Sequence, residues 1–321
     1  MEIDLAILRS VHAVQEVEWR RNPIGFLRAC VQTLRGALWA DMIVAWFGSY
    51  HAFFAFLPAL LLRRKRVIIA SGYDVANEPT LNYGGLRSGM RRWMGLQAFR
   101  WADQVLAVSH FSAQEALKNA HVVPEKLQTI YHGLDADAFA PPDDKKERRG
   151  VLTVAVINQE SMLRKGLALF VETAKQLPDI PFILVGPWRD SAIDELRALA
   201  PPNVTFAGAL FGNDLVQCMA SAQVYAQLSA YESFGMAVAE AMLCGCVPVV
   251  TDRGALPEVV GDQGWIAPYA DIEVTAQVIR QALAADSAMR HQCRQRIVEH
   301  FSLAARRTQL LRALETVRTS S

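Results

Sequence analysis

Tyr231-Glu232-Ser233-Phe234-Gly235-Met236-Ala237-Val238-Ala239-Glu240-Ala241-Met242-Leu243-Cys244-Gly245 is the stretch on which the reading of this chain turns. A strand-like run, Val224-Tyr225-Ala226-Gln227-Leu228, precedes it, and another, Cys246-Val247-Pro248-Val249-Val250, follows. Residues 235–244 between them read as a short helix, stopped at Gly245, the residue type that most readily ends one. The helix is apolar on every side except at Glu240, which marks it as buried. A buried carboxylate is costly unless something pairs with it or donates hydrogen bonds to it. The turn before the helix carries a second carboxylate, Glu232. Backbone N–H groups from about Ser233 to Met236 point out of the helix start, where a phosphate fits. Glu240 lies about 7–8 Å further along the axis. A ligand with a diphosphate in its middle and hydroxyl-rich sugars at both ends would use all three features. A core helix whose Glu240 pairs with a nearby Arg or Lys has the same spacing.

Outward from this stretch, composition sets the class. The chain has 321 residues, more than one ordinary core holds, so two domains are expected. Hydrophobic residues make up 52% and charged residues 20%, as in a folded globular protein. With 33 basic and 32 acidic residues the net charge is +1, so no nucleic-acid partner is expected. Cys30, Cys218, Cys244, Cys246 and Cys293 are scattered among apolar residues. An odd count without a framework suits a reducing cytoplasm and small buried hydrophobes. No paired-carboxylate motif is read as a metal site, so neither a metal nor a cofactor is expected. The first residues are acidic, unlike a signal peptide. Residues 42–62 are mostly apolar and end in Arg63-Arg64-Lys65-Arg66, but Gly48-Ser49-Tyr50-His51 interrupts them. A strand over 42–46, a turn and a helix over 51–62 explain them better than a membrane span. The basic end suits a peripheral membrane contact.

Residues 1–40 say least: a strand over 3–8, then a helix over 24–39 opened by Asn22-Pro23. From residue 42 the pattern alternates. Strands are expected over 42–46, 67–70, 104–108 and 127–131, and helices over 51–62, 86–101 and 112–120. Residues 136–150, proline-bearing and mixed in charge, read as a linker. After it come strands over 151–156, 181–185 and 203–206, helices over 167–177, 271–285 and 302–317, and a helix to 220 capped by Asn213-Asp214. Alternation of this kind implies parallel sheets covered on both faces, with ligands at the carboxyl ends of the strands.

Glu232 and Glu240 with seven residues between them, Ser-Phe-Gly after the first, and the Gly-x-Pro-Val-Val exit together resemble the E-x7-E signature of retaining glycosyltransferases of family 4, which have the GT-B fold. The similarity runs over residues 41–271 and is strongest over 154–268. It implies an α/β protein with two Rossmann-like parallel-sheet domains facing across a cleft. They would span 1–140, abbreviated for want of a glycine-rich first loop, and 150–300, with a C-terminal helix over 301–319 packing back on the first. On that likeness Glu232 and the following amides (Ser233, Phe234, Gly235, Met236) hold the donor sugar and diphosphate, and Glu240 holds the ribose. Lys165-Gly166 matches the family's Lys-Gly at a helix start. The family's Arg, separated from that Lys by five residues, falls on Gln159, beside Asn158, which leaves Arg164 as the substitute or as a solvated neighbour. Gly186 and the turn Gly208-Ala209-Leu210 would flank the base. On the acceptor side the loop after residue 70 has Ser71 where the family has His, leaving Tyr73 and Asp74, the latter either functional or a turn cap. Gly48, Tyr83 and His132, in the Asn position of an Asn-Gly-Val-Asp-like turn, complete that side.

The resemblance therefore implies transfer of a sugar from a nucleotide diphosphate sugar to a glycan or lipid-linked acceptor, retaining and metal-independent. Lys165, Glu232 and Asp74 would be the catalytic set. Two alternatives come from other classes: a nucleotide-sugar epimerase on the same fold, and a non-catalytic sugar-nucleotide binding subunit.

Overall fold

The computed structural model describes residues 1–19, 22–140 and 148–319. Most of the charged part of the expected linker, residues 141–147, lies outside them. By contacts the chain separates into two compact units, Met1–Gly133 with Ala304–Ser321, and Leu134–Leu303.

The first unit runs α1 (Glu2–Arg9), α2 (Pro23–Trp39), β1 (Met42–Trp46), α3 (Tyr50–Leu61), β2 (Lys65–Ala70), α4 (Gly89–Trp101), β3 (Gln104–Ala107), α5 (His110–Asn119) and β4 (Leu127–Thr129). Its sheet has the order β1-β2-β3-β4, all parallel. Phe53, Phe56, Ile68 and Phe99 lie in the core between sheet and helices. The apolar stretch over 42–62 is a strand, a turn and a helix, and no helix among the described residues is long and apolar enough to cross a membrane. The strand expected over 3–8 is a helix instead. Asp4, Ile7 and Leu8 are its buried residues, the i, i+3, i+4 set of one helix face. Helix α4 starts at Gly89 rather than 86, because residues 71–88 are occupied by a loop in which Glu78 and Tyr83 form an antiparallel bridge.

The second unit runs β5 (Val151–Val154), α6 (Gln159–Arg164), α7 (Leu167–Lys175), β6 (Phe182–Val185), α8 (Ala192–Leu199), β7 (Val204–Gly208), α9 (Gly212–Ser221), β8 (Val224–Gln227), α10 (Met236–Leu243), β9 (Val247–Thr251), α11 (Leu256–Val260), β10 (Trp265–Ala267), α12 (Ile272–Leu283) and α13 (Ser287–His300). The chain then enters α14 (Leu303–Thr319), nearly all of which belongs to the first unit. The six strands are parallel in the order β10-β9-β8-β5-β6-β7. Phe170 packs edge-on to Phe182 at 5.1 Å inside the core that α7 covers. Helices α6, α8, α11 and α13 and strand β10 have no counterpart in the sequence reading. They are short or weakly patterned, so periodicity does not reveal them. Helix α9 opens at Gly212 behind Phe211, not behind Asn213-Asp214, which fall in its first turn.

Strand β5 is the first in its unit, and it pairs with β6 on one side and β8 on the other. The strand order therefore reverses between β5 and β8. Loops leaving the carboxyl ends of two such strands diverge to opposite faces and leave a crevice, the usual place for a ligand in an open parallel sheet.

Candidate functional site

Two segments leave the sheet at that reversal: residues 155–166 after β5, and residues 228–235 after β8. Three contacts zip them together. Gly166, at φ +65°, stands where a Cβ would come within 1.9 Å of the Leu228 carbonyl oxygen, so only glycine lets the chains approach so closely. The Ala230 N–H donates to the Arg164 carbonyl at 2.9 Å. The Lys165 ammonium donates to Glu232 Oε2. Lys165 and Glu232, 67 residues apart in sequence, thus meet as one half-buried ion pair at the mouth of the crevice.

Glu232 is also held from behind. The Ala255 N–H donates to its carbonyl at 2.8 Å, and Gly254, at φ +62°, sits where a Cβ would lie 2.3 Å from that same oxygen. Gly254 serves a close approach to the Glu232 backbone. Beyond it Gly235, at φ +102°, turns the chain into α10, and no side chain caps the helix. Among the described residues the first-turn amides of Met236, Ala237 and Val238 find no acceptor. Phe234 is anchored below by the edge of Phe301 at 5.4 Å, which fixes the turn that carries Glu232 and Ser233.

One turn into α10 lies Glu240. No Arg or Lys among the described residues pairs with it, so the core-helix alternative loses its ion pair. Burial alone pushes its carboxyl up to about 7. The unfolded chain would ionise this group near 4.5, so between that pH and about 7 the folded form holds the proton longer. Stability is therefore undiminished below the lower value, falls through the window, and carries the full penalty above 7. Glu240→Gln should raise the melting temperature of the ligand-free protein at pH 8, by a stability on the order of 2–3 kcal/mol, and leave it unchanged at pH 4.5. Identical melting of the two proteins at pH 8 would show that this carboxylate carries no such strain. A group kept at that cost is one a ligand's hydroxyl groups can satisfy.

Beneath these carboxylates runs a buried polar chain that the sequence reading missed. The Val154 N–H donates to the Tyr225 hydroxyl at 3.2 Å, which donates to Gln227 Oε1 at 3.1 Å. Gln227 Nε2 donates to Ser229 Oγ at 2.7 Å, and the Thr251 hydroxyl donates to the Ser229 carbonyl at 2.6 Å. Burial and the nearby Glu240 and Glu232 raise the Tyr225 phenol far above its usual range. The signal was present: Tyr225 and Gln227 share a face of β8 and Ser229 continues the alternation just past its end.

The structure separates other expected donor residues from this seat. Asn158 caps α6, accepting from Ser161 N–H at 2.7 Å. Gln159 points away: its N–H donates to Asp190 at 3.0 Å and its side chain to Glu195. It stands at the exposed start of α6, where a neighbouring carboxylate holds it. Arg164 pairs with Glu160 at 3.3 Å along the same helix. Gly186 lies where a Cβ would be 1.7 Å from the Ala155 carbonyl oxygen, and its N–H donates to the Gly208 carbonyl at 2.8 Å. Gly186 and Gly208-Ala209-Leu210 thereby line up the ends of β5, β6 and β7. Arg253 contacts the surface groups Asp252, at 3.3 Å, and Tyr269.

In the first unit Asp74 is buried. It accepts from the N–H groups of Gly48 at 2.7 Å, Ser71 at 3.1 Å and Gly72 at 3.0 Å. Burial outweighs these bonds and pushes its carboxyl up to about 6. With both oxygens engaged by backbone, Asp74 holds the loops after β1 and β2 together. It is a cap on a larger scale than one turn, the second of the two roles expected for it. Gly48 lies against the Phe99 ring, with no room for a Cβ. Tyr73 and Tyr83 meet edge to face at 5.3 Å on the same loop. His132 is half-buried; burial and Arg306 push its imidazole down to about 4, so it is neutral at physiological pH. Asp135-Ala136-Asp137 has an Asp-x-Asp spacing that the expectation of no metal motif passed over. Asp135 accepts from its own turn, from the N–H groups of Asp137 at 3.0 Å and Ala138 at 3.3 Å, and among the described residues no cluster of three or more His, Cys, Asp or Glu is placed to hold a metal.

The family models for group 1 glycosyl transferases and for glycosyltransferase family 4 match residues 137–300 and 8–138. An MMP alpha-(1->4)-mannosyltransferase of Mycolicibacterium hassiacum is 29% identical over 230 residues, covering 66% of this chain and 55% of its own. An O-antigen chain mannosyltransferase B of Escherichia coli is 27% identical over 208 residues, 58% of this chain and 53% of its own. The chain thus spans about half the length of these relatives. Among solved structures, Anabaena Alr3699/HepE in complex with UDP superposes with a TM-score of 0.78 at 19% identity, over 97% of this chain and 89% of that one.

Proposed function

We propose that this chain, which belongs to the group 1 glycosyltransferases of family 4 and has their GT-B fold of two parallel-sheet α/β domains, moves a sugar from a nucleotide diphosphate sugar to an acceptor hydroxyl. The observation that carries the reading is the seat at the β5–β8 reversal: Lys165 paired with Glu232 beside the uncapped start of α10, with the unpartnered Glu240 one turn inside. Lys165 and the first-turn amides meet the charge that develops on the leaving diphosphate. Glu232 orients the transferred sugar and Glu240 the ribose, a positioning role rather than proton transfer. In the step itself the bond from the sugar's anomeric carbon to the phosphate oxygen breaks. The acceptor oxygen bonds to that carbon on the same face, and its proton passes to the departing phosphate, so configuration is retained. The UDP complex of the Anabaena structure and the mannosyltransferase relatives favour a nucleotide-sugar donor. The acceptor is a glycan or a lipid-linked glycan, with the protein in the cytoplasm or peripheral on the inner face of the membrane.

A thermal-shift series with UDP, GDP, ADP and TDP sugars tests the donor, since a bound ligand raises the apparent stability. One series should stabilise the wild type and fail to stabilise Glu240→Gln. An epimerase would consume that donor with no acceptor present, and a binding subunit would be stabilised yet neither transfer nor hydrolyse it. The charge supplied by Lys165 and α10 also makes the route metal-free: transfer should be undiminished in chelator, and a strict need for added magnesium or manganese would contradict it.

A further inference from the structure

We infer that α2 is a docking helix for the surface of an anionic bilayer. Its amphipathicity is inverted. The residues it buries fully are small, Ala29, Thr33 and Ala37, and Thr33 spends its hydroxyl on the Ala29 carbonyl at 2.7 Å. The residues it turns outward are large: Ile24 is 83% exposed, Leu27 67%, Leu34 52% and Leu38 61%, with Val31 between them. Their spacing of three and four puts them in one stripe along the helix. A helix folding in water alone buries its large apolar side chains and exposes its small or polar ones. Here the fully buried contacts are made by the small ones, joined at the first turn by Phe26, which packs edge-on to Phe54 at 5.0 Å. Large apolar groups left outward in a continuous stripe mark an interaction surface.

Charge selects the occupant. Arg28 and Arg35 are exposed beside the stripe, and α2 holds no Asp or Glu. At its far end Arg64 donates to the carbonyls of Ala37 and Leu38 at 3.0 and 3.2 Å, so the Arg63-Arg64 pair borders the same stripe. Helix α2 packs on α3 and α3 on α4. Helix α3 carries no charged residue, and α4 carries Arg91, Arg92 and Arg100 without an acid. Over residues 22–102 the chain has ten Lys or Arg against three Asp or Glu, although the whole chain is balanced at +1. Exposed apolar side chains rimmed by arginines without carboxylates complement lipid chains below a layer of anionic headgroups. A second copy of α2 would bring more arginines and no acid to the contact. The helix has 17 residues, about 26 Å at its rise per residue, and lies on the surface rather than across it.

The test uses the full chain without donor or acceptor, sedimented with phosphatidylcholine vesicles and with phosphatidylcholine–phosphatidylglycerol vesicles. Wild type should bind the mixed vesicles at least about tenfold more strongly than the neutral ones, with the difference shrinking in high salt. Leu27→Gln/Leu34→Gln/Leu38→Gln should lose at least about tenfold in binding to the mixed vesicles while its melting temperature stays unchanged, since all three side chains face outward. Arg28→Gln/Arg35→Gln should lose the preference for the anionic lipid. Wild type left in the supernatant of mixed vesicles, or a triple variant that binds as well as wild type, overturns the inference. So does a lipid-free dimer that the triple variant abolishes, which would make a second copy the occupant. Binding here requires no chemistry at the donor seat, so its failure leaves the transfer reading standing, and the reverse holds as well.

Discussion

Lys165→Ala is expected to lower the rate of sugar transfer by about 100- to 1000-fold, the loss that follows when one preorganised group facing the transition-state charge is removed. Among the described residues Lys165 is the basic side chain that reaches Glu232 at the mouth of the seat, while Gln159 is turned to Glu195 and Arg164 is engaged with Glu160. The fall should appear mainly in kcat, because the diphosphate gains charge only as the glycosidic bond breaks. Glu232→Ala should cost about as much, by loosening the sugar that the carboxylate orients. The two losses should not add. Each single variant leaves its partner half-buried without a counter-charge, so the double variant should transfer faster than the product of the single effects predicts. Steady-state rates of the three variants with one donor decide this. A wild-type rate in Lys165→Ala would take the diphosphate away from this segment, and full additivity would mean that the pair does not act as a unit.

The largest expected effect on stability is far from that seat in sequence. Arg306 is 2% exposed and donates to both oxygens of Asp4, at 2.9 and 2.8 Å. Its remaining donors take the carbonyls of Ile130 and Tyr131, at 2.6 and 3.1 Å. The Trp46 indole N–H adds a third bond to Asp4 at 3.1 Å. One guanidinium thus ties α14 and α1 to the chain after β4, and its carboxylate reaches the end of β1. Arg306→Ala should destabilise the protein by about 3–5 kcal/mol, because it strands a buried carboxylate. Replacing both partners by apolar residues, Asp4→Leu with Arg306→Met, should recover much of that, since no charge is then left buried. Urea midpoints measure both. Equal midpoints for Arg306→Ala and wild type would show that the pair contributes nothing. Burial works against ionisation of Asp4, but the Arg306 and Trp46 bonds prevail and hold its carboxyl below the ordinary value. The stability it contributes is therefore complete above the unfolded-state value of about 4 and is lost as the pH falls through the folded one.

These two expectations divide the molecule along the line between local and distant information. The alternation of apolar runs and turn residues was enough for two parallel-sheet units, because a strand buried on both faces and a helix stopped by glycine are written within a few residues. The segments of the candidate seat were legible for the same reason. Glu232, Gly235 and Glu240 lie on one continuous segment, and Lys165-Gly166 sits at a helix start. Whole elements escaped notice where the signal was short, as at α6, α11 and β10.

What the chain alone determined, then, was the pattern of elements and the chemistry of each loop, since propensity, periodicity and capping act between neighbours. Tertiary structure decided the partners. It placed residues 2–9 in a helix whose Asp4 meets an arginine 302 positions away. It spent Asp74 on three backbone N–H groups from two loops and swung Gln159 out to Glu195. It also left Glu240 without a cation among the described residues and a stripe of large α2 side chains facing outward. Burial and pairing depend on which surfaces the fold brings together, and no window of sequence contains that.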